Sequence, residues 1–137
     1  MSLGHSFLSD GSKEVVHTFG WYMTKFIREA KEKGAIPIVL SQTPRNEWPN
    51  DKVERRNDTY TKWSKEIANQ EKVNYIDLNE IVALKYEALG KDKVKAFFPK
   101  DHTHTGLEGA TLNALTVAES IKKLKECGLK NYIEVKL

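Results

Sequence analysis

The residues best placed to do chemistry lie together in Pro99-Lys100-Asp101-His102-Thr103-His104-Thr105, just ahead of an amphipathic stretch. An acid three residues before an imidazole on one loop lets the carboxylate accept a hydrogen bond from one ring nitrogen of His104. That fixes the tautomer and leaves the other nitrogen to take a proton from a nucleophile. Such a loop supplies a base and its orienter, and no nucleophile. Two other readings fit the same residues. Close histidines on a polar loop also describe a solvated turn. His102 and His104 on one side of an extended segment, with Asp101 as an oxygen donor, describe the beginning of a metal site. The metal reading needs more ligands, and His5, His17 and the single Cys127 add no spacing in its support.

Five blocks elsewhere bear on the choice: His17-Thr18-Phe19-Gly20-Trp21-Tyr22, Gly34-Ala35-Ile36-Pro37-Ile38-Val39-Leu40-Ser41, Pro44-Arg45-Asn46-Glu47-Trp48, Tyr75-Ile76-Asp77-Leu78-Asn79 and Asp101-His102-Thr103-His104-Thr105. In order and spacing, from about residue 14 to residue 123, the chain resembles the rhamnogalacturonan acetylesterase branch of the SGNH (GDSL-type) hydrolases. That family's last block is Asp-x-x-His. The resemblance therefore implies catalytic roles for Asp101 and His104, with His102 a neighbour. It implies an α/β fold, the C-terminal portion of a three-layer α/β/α, flavodoxin-like sandwich with a parallel sheet. It also implies deacetylation of a pectic polysaccharide such as rhamnogalacturonan by Ser-His-Asp acyl transfer. No cofactor and no metal are called for, the partner is the acetylated polysaccharide, and the parent enzyme is exported to a periplasm or the exterior.

The departures from the family matter as much. Members carry a Gly-Asp-Ser segment that supplies the nucleophile, then a Gly and a Gly-x-Asn-Asp block that complete the oxyanion hole. None of these occurs here. Asn57-Asp58 follows Arg55-Arg56 ahead of a helix and reads as a cap. Gly4-His5-Ser6-Phe7 lacks the Asn and Asp of the oxyanion block, and Ser9-Asp10-Gly11-Ser12 has the wrong order for a nucleophile. The expectation is the C-terminal part of an esterase, with no nucleophile in this chain and no activity alone. The alternative is a non-catalytic carbohydrate-binding or assembly domain derived from a hydrolase.

Composition fits one soluble domain: 137 residues, 39% hydrophobic and 30% charged. The net charge of +3 is spread among acidic residues along helices, as in Lys25 to Lys33, which is a solvated face and not a nucleic-acid footprint. No apolar run approaches a bilayer span, so no membrane contact is expected. Residues 1–13 read as a polar leader without signal-peptide character, with Met1-Ser2-Leu3 of the kind added for expression.

The elements that must position the loop follow from periodicity. Helices are expected at about 14–33, 59–72, 79–89 and 106–127, with Gly34, Gly90 and Gly128 as stops. Ile36 to Leu40 reads as a fully buried strand and Val73 to Leu78 as a second. Expected inward faces are Val16, Phe19, Met23, Phe26 or Ile27, and Ala30; Tyr60, Trp63 and Ile67; Ile81, Leu84 and Ala88; and Ala110, Ala114, Val117, Ile121 and Leu124. Trp21 and Tyr22 read as core and staple, Asp77 as a helix cap, Asp58-Thr59 as the cap of the second helix, and Thr105 to Glu108 as a capping box. The loop from 45 to 56 is long enough to be functional. There Arg45 and Trp48 are the candidate sugar contacts, unless Trp48 only covers the helix beneath it. Residues 128–137 read as a tail, in part a short strand. A parallel sheet with only two strands would leave an edge and apolar faces open, so a homodimer is expected.

Overall fold

A computed structural model of the chain describes residues 4–7 and 9–134. Val15 and Val16, β-branched residues ahead of the first helix, favour an extended backbone. Accordingly β1 (Gly4–Phe7) and β2 (Lys13–Val16) pair antiparallel, with Gly4 opposite Val16 and Phe7 opposite Lys13. Gly11, at φ +81°, and Asp10, whose Oδ1 accepts from Ser12 N at 2.9 Å and Ser12 Oγ at 2.6 Å, make the turn. Residues 14–16, expected in the first helix, are therefore strand, and residues 4–7 and 9–13 of the leader belong to the hairpin.

Helix α1 (Phe19–Glu32) begins at Thr18, whose hydroxyl accepts from Trp21 N at 3.3 Å. Its buried residue is Ile27, while Phe26 faces out. Strands β3 (Ile38–Leu40) and β4 (Asn74–Ile76) run parallel, with Val39 opposite Tyr75. Side-chain alternation along them divides the core in two. Val39 and Tyr75 meet Ile27, Ile67 and Ala68 of α1 and α2 (Tyr60–Gln70). Ile38, Leu40 and Ile76 meet the larger cluster built on Val82, Tyr86, Val94, Phe97, Phe98 and Ile121, carried mainly by α3 (Leu78–Leu89), the short α4 (Lys91–Lys95) and α5 (Leu107–Lys123). The result is helix, sheet and helix layers, the α/β arrangement expected. The first strand is shorter than expected and not fully buried: Ile36 is 72% exposed, because among the described residues only β4 flanks β3.

Three helices present other faces than periodicity suggests. In α2 the inward set is Thr61, Ser64, Ile67 and Ala68, small residues that let the helix approach the sheet. Tyr60 and Trp63 instead form an exposed edge-to-face cluster with Phe19. In α3, apolar on several sides, Leu78, Val82, Ala83 and Tyr86 are buried, while Leu84 and Ala88 point out. In α5, Gly109, Thr116, Ser120 and Ile121 are buried, and Ala110 and Ala114 are not. Thr116 and Ser120 can be buried there because their hydroxyls donate to the carbonyls of Leu112 and Thr116 at 2.8 and 2.7 Å.

The helix termini also differ. Thr59 precedes α2 without capping it, its hydroxyl donating instead to Arg56 O at 3.2 Å. Helix α5 stops at Lys123, short of Gly128, so that Leu124 and Cys127 can turn back onto the core. Residues Gly128–Tyr132 form a 3-10 turn where a strand was expected, and the last three tail residues lie outside those described.

The loop between β3 and α2 is anchored through Val53, buried in the large cluster. Glu87 of α3 accepts from Val53 N at 3.0 Å and pairs with Arg55, which also donates to Val53 O at 2.8 Å and to Glu80 Oε2 at 3.0 Å. Arg55 above all, then Val53 N, pulls the Glu87 carboxyl from an ordinary 4.5 to about 2. Because this acid is depressed in the fold, its contribution is complete above its unfolded value and is lost as pH falls toward 2. Glu87→Gln should therefore lower stability by about 1–2 kcal/mol at neutral pH. In urea unfolding, the gap between variant and parent should narrow between pH 4.5 and pH 2.

Candidate active site

Phe97 and Phe98, both buried, fix the start of the histidine loop, and Gly106 N donates to Phe97 O at 2.8 Å to close it. Helix α5 packs hard against this base. A Cβ on Gly109 would stand 2.8 Å from Phe97 Cβ and 3.0 Å from Thr105 Cβ. The expected capping box does not form. The cap residue is Gly106, in extended conformation and with no side-chain cap, while Glu108 reaches Lys93 at 3.2 Å. Thr105 is instead packed toward Gly109.

Within the loop one carboxylate organises three donors. Asp101 Oδ1 accepts from the backbone N–H groups of Thr103 and His104, both at 2.7 Å, and Asp101 Oδ2 lies 2.7 Å from His104 Nδ1. The ring of His104 first, then its backbone N–H and that of Thr103, hold the Asp101 carboxyl well below the usual carboxylate range. With Nδ1 as the donor, Nε2 of a neutral His104 carries the free lone pair. The side chain is 79% exposed, and Nε2 has no partner among the described residues. Such a geometry is the one an oriented general base requires. No serine hydroxyl among those described bonds to it: Ser12 serves the hairpin turn, and Ser41 is buried against Asp77 and Asn79.

His102 is turned to a different task. Its carbonyl accepts from Asn46 N at 2.8 Å, and its Nε2 lies 3.4 Å from Glu47 Oε1. Glu47 also takes Arg56, which holds its carboxyl below the ordinary range. The histidine loop and the loop after β3 are thus clasped together, a role for Glu47 and Arg56 that the sequence reading missed. Its only sequence signal was the density of paired charges between residues 45 and 56. Among the described residues no three of His, Cys, Asp and Glu converge to hold a metal ion.

The other sequence candidates separate. Arg45 is exposed at the wall of a cavity of about 220 Å³. Trp48 lies half-buried on the large core cluster, with its indole N–H donated to Asn46 Oδ1 at 2.7 Å and Lys91 over its ring. Asp77 caps α3 as expected, accepting from Glu80 N at 3.3 Å, and also receives Ser41 Oγ at 3.1 Å. Trp21 stacks on His17 at 3.7 Å, and Tyr22 OH accepts from His17 N.

Asp101→Ala should leave Thr103 N and His104 N without their acceptor. Amide hydrogen exchange at both should rise about tenfold or more at neutral pH, while exchange in α5 stays unchanged.

No protein-family model matches the chain. It is 34% identical over 118 residues to a rhamnogalacturonan acetylesterase of Emericella nidulans, a match covering 86% of this chain and 46% of that protein. It is 30% identical over 136 residues to a probable rhamnogalacturonan acetylesterase, YesY, of Bacillus subtilis, covering 90% of this chain and 61% of the relative. RhgT, a rhamnogalacturonan acetylesterase of the same bacterium, is 29% identical over 139 residues. The chain thus spans about half to three fifths of the length of these relatives. Protein YxiM of Bacillus subtilis, known from a crystal structure, superposes with a TM-score of 0.71 at 23% identity, over 77% of this chain and 30% of that one.

Proposed function

From its similarity to rhamnogalacturonan acetylesterases, we propose that the chain belongs with the SGNH-type hydrolases and is the C-terminal part of a carbohydrate esterase that removes acetyl groups from a pectic polysaccharide. The observation that carries this reading is the Asp101–His104 pair, held at 2.7 Å with the far nitrogen exposed. In the proposed reaction a serine hydroxyl attacks the acetyl carbonyl as His104 Nε2 takes its proton. The same proton then goes to the departing sugar oxygen, and the acyl-serine is hydrolysed by water activated in the same way. Asp101 holds the tautomer and stabilises the imidazolium without itself becoming protonated. The serine and the oxyanion donors come from outside this sequence, which has no Gly-Asp-Ser or Gly-x-Asn-Asp block.

The pure chain should therefore release no acetate from an aryl acetate or from acetylated pectin. Turnover abolished by Ser6→Ala or Ser12→Ala would overturn that. In a protein that also carries the nucleophile block, His104→Ala should cut kcat by roughly a thousandfold or more, and Asp101→Asn should be nearly as damaging through loss of tautomer control. His102→Ala, which touches only the clasp to Glu47, should be much milder. A larger loss from His102→Ala than from His104→Ala would overturn the assignment.

We also propose that two copies associate, because β3 and β4 pair only with each other among the described residues and Ile36, Phe26 and Leu107 lie exposed. Sedimentation velocity at micromolar concentration should give a dimer, and a clean monomer would refute it.

A further inference from the structure

The histidine loop is tied down at two places that differ in chemistry. At its foot, Phe97 and Phe98 are buried and Gly106 N donates to Phe97 O at 2.8 Å, contacts that carry no titrating group. At its middle, His102 meets the loop after β3 twice. Its carbonyl accepts from Asn46 N at 2.8 Å, and its Nε2 lies 3.4 Å from Glu47 Oε1. The neighbours of His102 in the chain are Asp101 and Thr103, so what holds His102 also holds the frame in which Asp101 grips His104. The strength of the contact to Glu47 depends on charge, because a carboxylate attracts an imidazolium far more than a neutral imidazole. The side chains are 56% and 28% exposed, open enough for His102 to exchange a proton with solvent. The other charged groups gathered there keep their charge across the span of about pH 5 to 8 in which histidines change theirs. Arg45 and Arg56 are guanidinium groups, cationic throughout. Glu47 is held below the ordinary carboxylate range, first by its hydrogen bond to Arg56 and then by the charges of Arg56, His102 and Arg45. Asp101 is held well below that range, first by the ring of His104. Glu54 and Asp58 act on Arg56 from behind. The groups left to respond to pH are the two imidazoles of the loop, His102 and His104.

We propose that Glu47 is a positioning residue for His104, acting through His102, and that the proton on His102 sets how firmly it holds. With His102 charged, the Glu47 carboxylate is shared between an imidazolium and the Arg56 guanidinium, and the two loops are drawn together. With His102 neutral, the tie rests on the hydrogen bond between Asn46 N and His102 O. The two histidines of one loop therefore answer pH in opposite senses. Proton loss frees His104 Nε2 to act as a base, and proton loss from His102 slackens the contact that keeps the loop in place. In an enzyme that also carries the nucleophile, the loop would be best held below the pH at which its base is best deprotonated, which narrows the working range from the alkaline side. The naming of His104 as the base rests on the acyl-transfer reading, whereas the proton-dependent hold does not.

The test is amide exchange and ¹⁵N relaxation on the pure chain at about pH 5 and about pH 8, the two ends of the histidine range, with exchange corrected for its intrinsic pH dependence. Protection of Asn46 N–H, the donor to His102 O, should be about two- to fivefold greater at the acid end, the size of effect an exposed ion pair supplies. Raising salt should shrink that difference. Backbone order at Thr103 should fall with it toward the alkaline end. His102→Gln keeps the carbonyl contact and loses the charge, so its protection should stay at the parent's alkaline level throughout. Glu47→Gln should flatten the profile in the same way. Arg56→Gln and His104→Gln should both retain the profile, since each leaves His102 and Glu47 in place. A contact that served the fold alone would give the parent no profile and would cost Glu47→Gln the same protection at both ends. Equal protection in the parent at both ends, a profile that survives His102→Gln or disappears in His104→Gln, or order at Thr103 that does not follow Asn46, would overturn the proposal. No ester is cleaved in the measurement, so failure here leaves the acyl-transfer reading standing. The loss of that reading would in turn leave the proton-dependent hold intact.

Discussion

One buried hydroxyl, that of Ser41, joins the parts on which the site depends. Its backbone N–H extends the parallel ladder by donating to Ile76 O at 3.1 Å. Its Oγ donates to Asp77 Oδ1 at 3.1 Å and accepts from Asn79 N at 2.9 Å. The exit of β3 is thereby fixed to the start of α3, and Asn79 continues the tie by holding Gln42 O at 3.0 Å. Everything downstream is referenced to that point. The chain leaves Gln42 along the cavity wall, Asn46 meets His102, and the histidine loop is presented beside the strand ends. Buried hydrogen bonds of this kind contribute little each, but an orphaned partner is costly, so they define one geometry sharply.

Charge does the remaining positioning, at two depths. Arg55, mostly covered, bridges Glu80 and Glu87 and so pins the long loop to α3. Arg56, more exposed, shares Glu47 with His102 and links that loop to the histidine loop. The first pairing is shielded and stabilises the fold, whereas the second is open to solvent and adjustable by salt. The histidine loop thus rests on a shielded base with a more exposed clasp above it.

The same layering explains why the sheet is so spare. Helices cover both faces of the β3–β4 pair, yet Ile36, next to the start of β3, is largely exposed and only one strand flanks β3 among the described residues. A parallel pair is stable here because its two faces feed two separate clusters, one on Ile27 and Ile67, the other on Val82 and Tyr86.

The sequence by itself determined the features that depend on local chemistry. The Asp101–His104 spacing fixed a hydrogen bond across one turn, Asp77 marked a helix start, and Gly34 and Gly90 take positive φ at helix ends. The alternation of helices with two apolar strands gave the layer order. Tertiary structure decided what depends on partners distant in the chain. Phe26 or Ile27 was a close choice on periodicity, and Val82 and Thr116 are buried where Leu84 and Ala114 were expected, because helices with apolar residues on several sides let the packing surface select the buried face. Val15 and Val16 became strand because residues 4–7 lay opposite to pair with them. The clasp between Glu47, Arg56 and His102 had no signal beyond the density of paired charges between residues 45 and 56, and the unpartnered Oδ1 of buried Asn79 had none, since both exist only where separate loops are brought to the same end of one parallel pair.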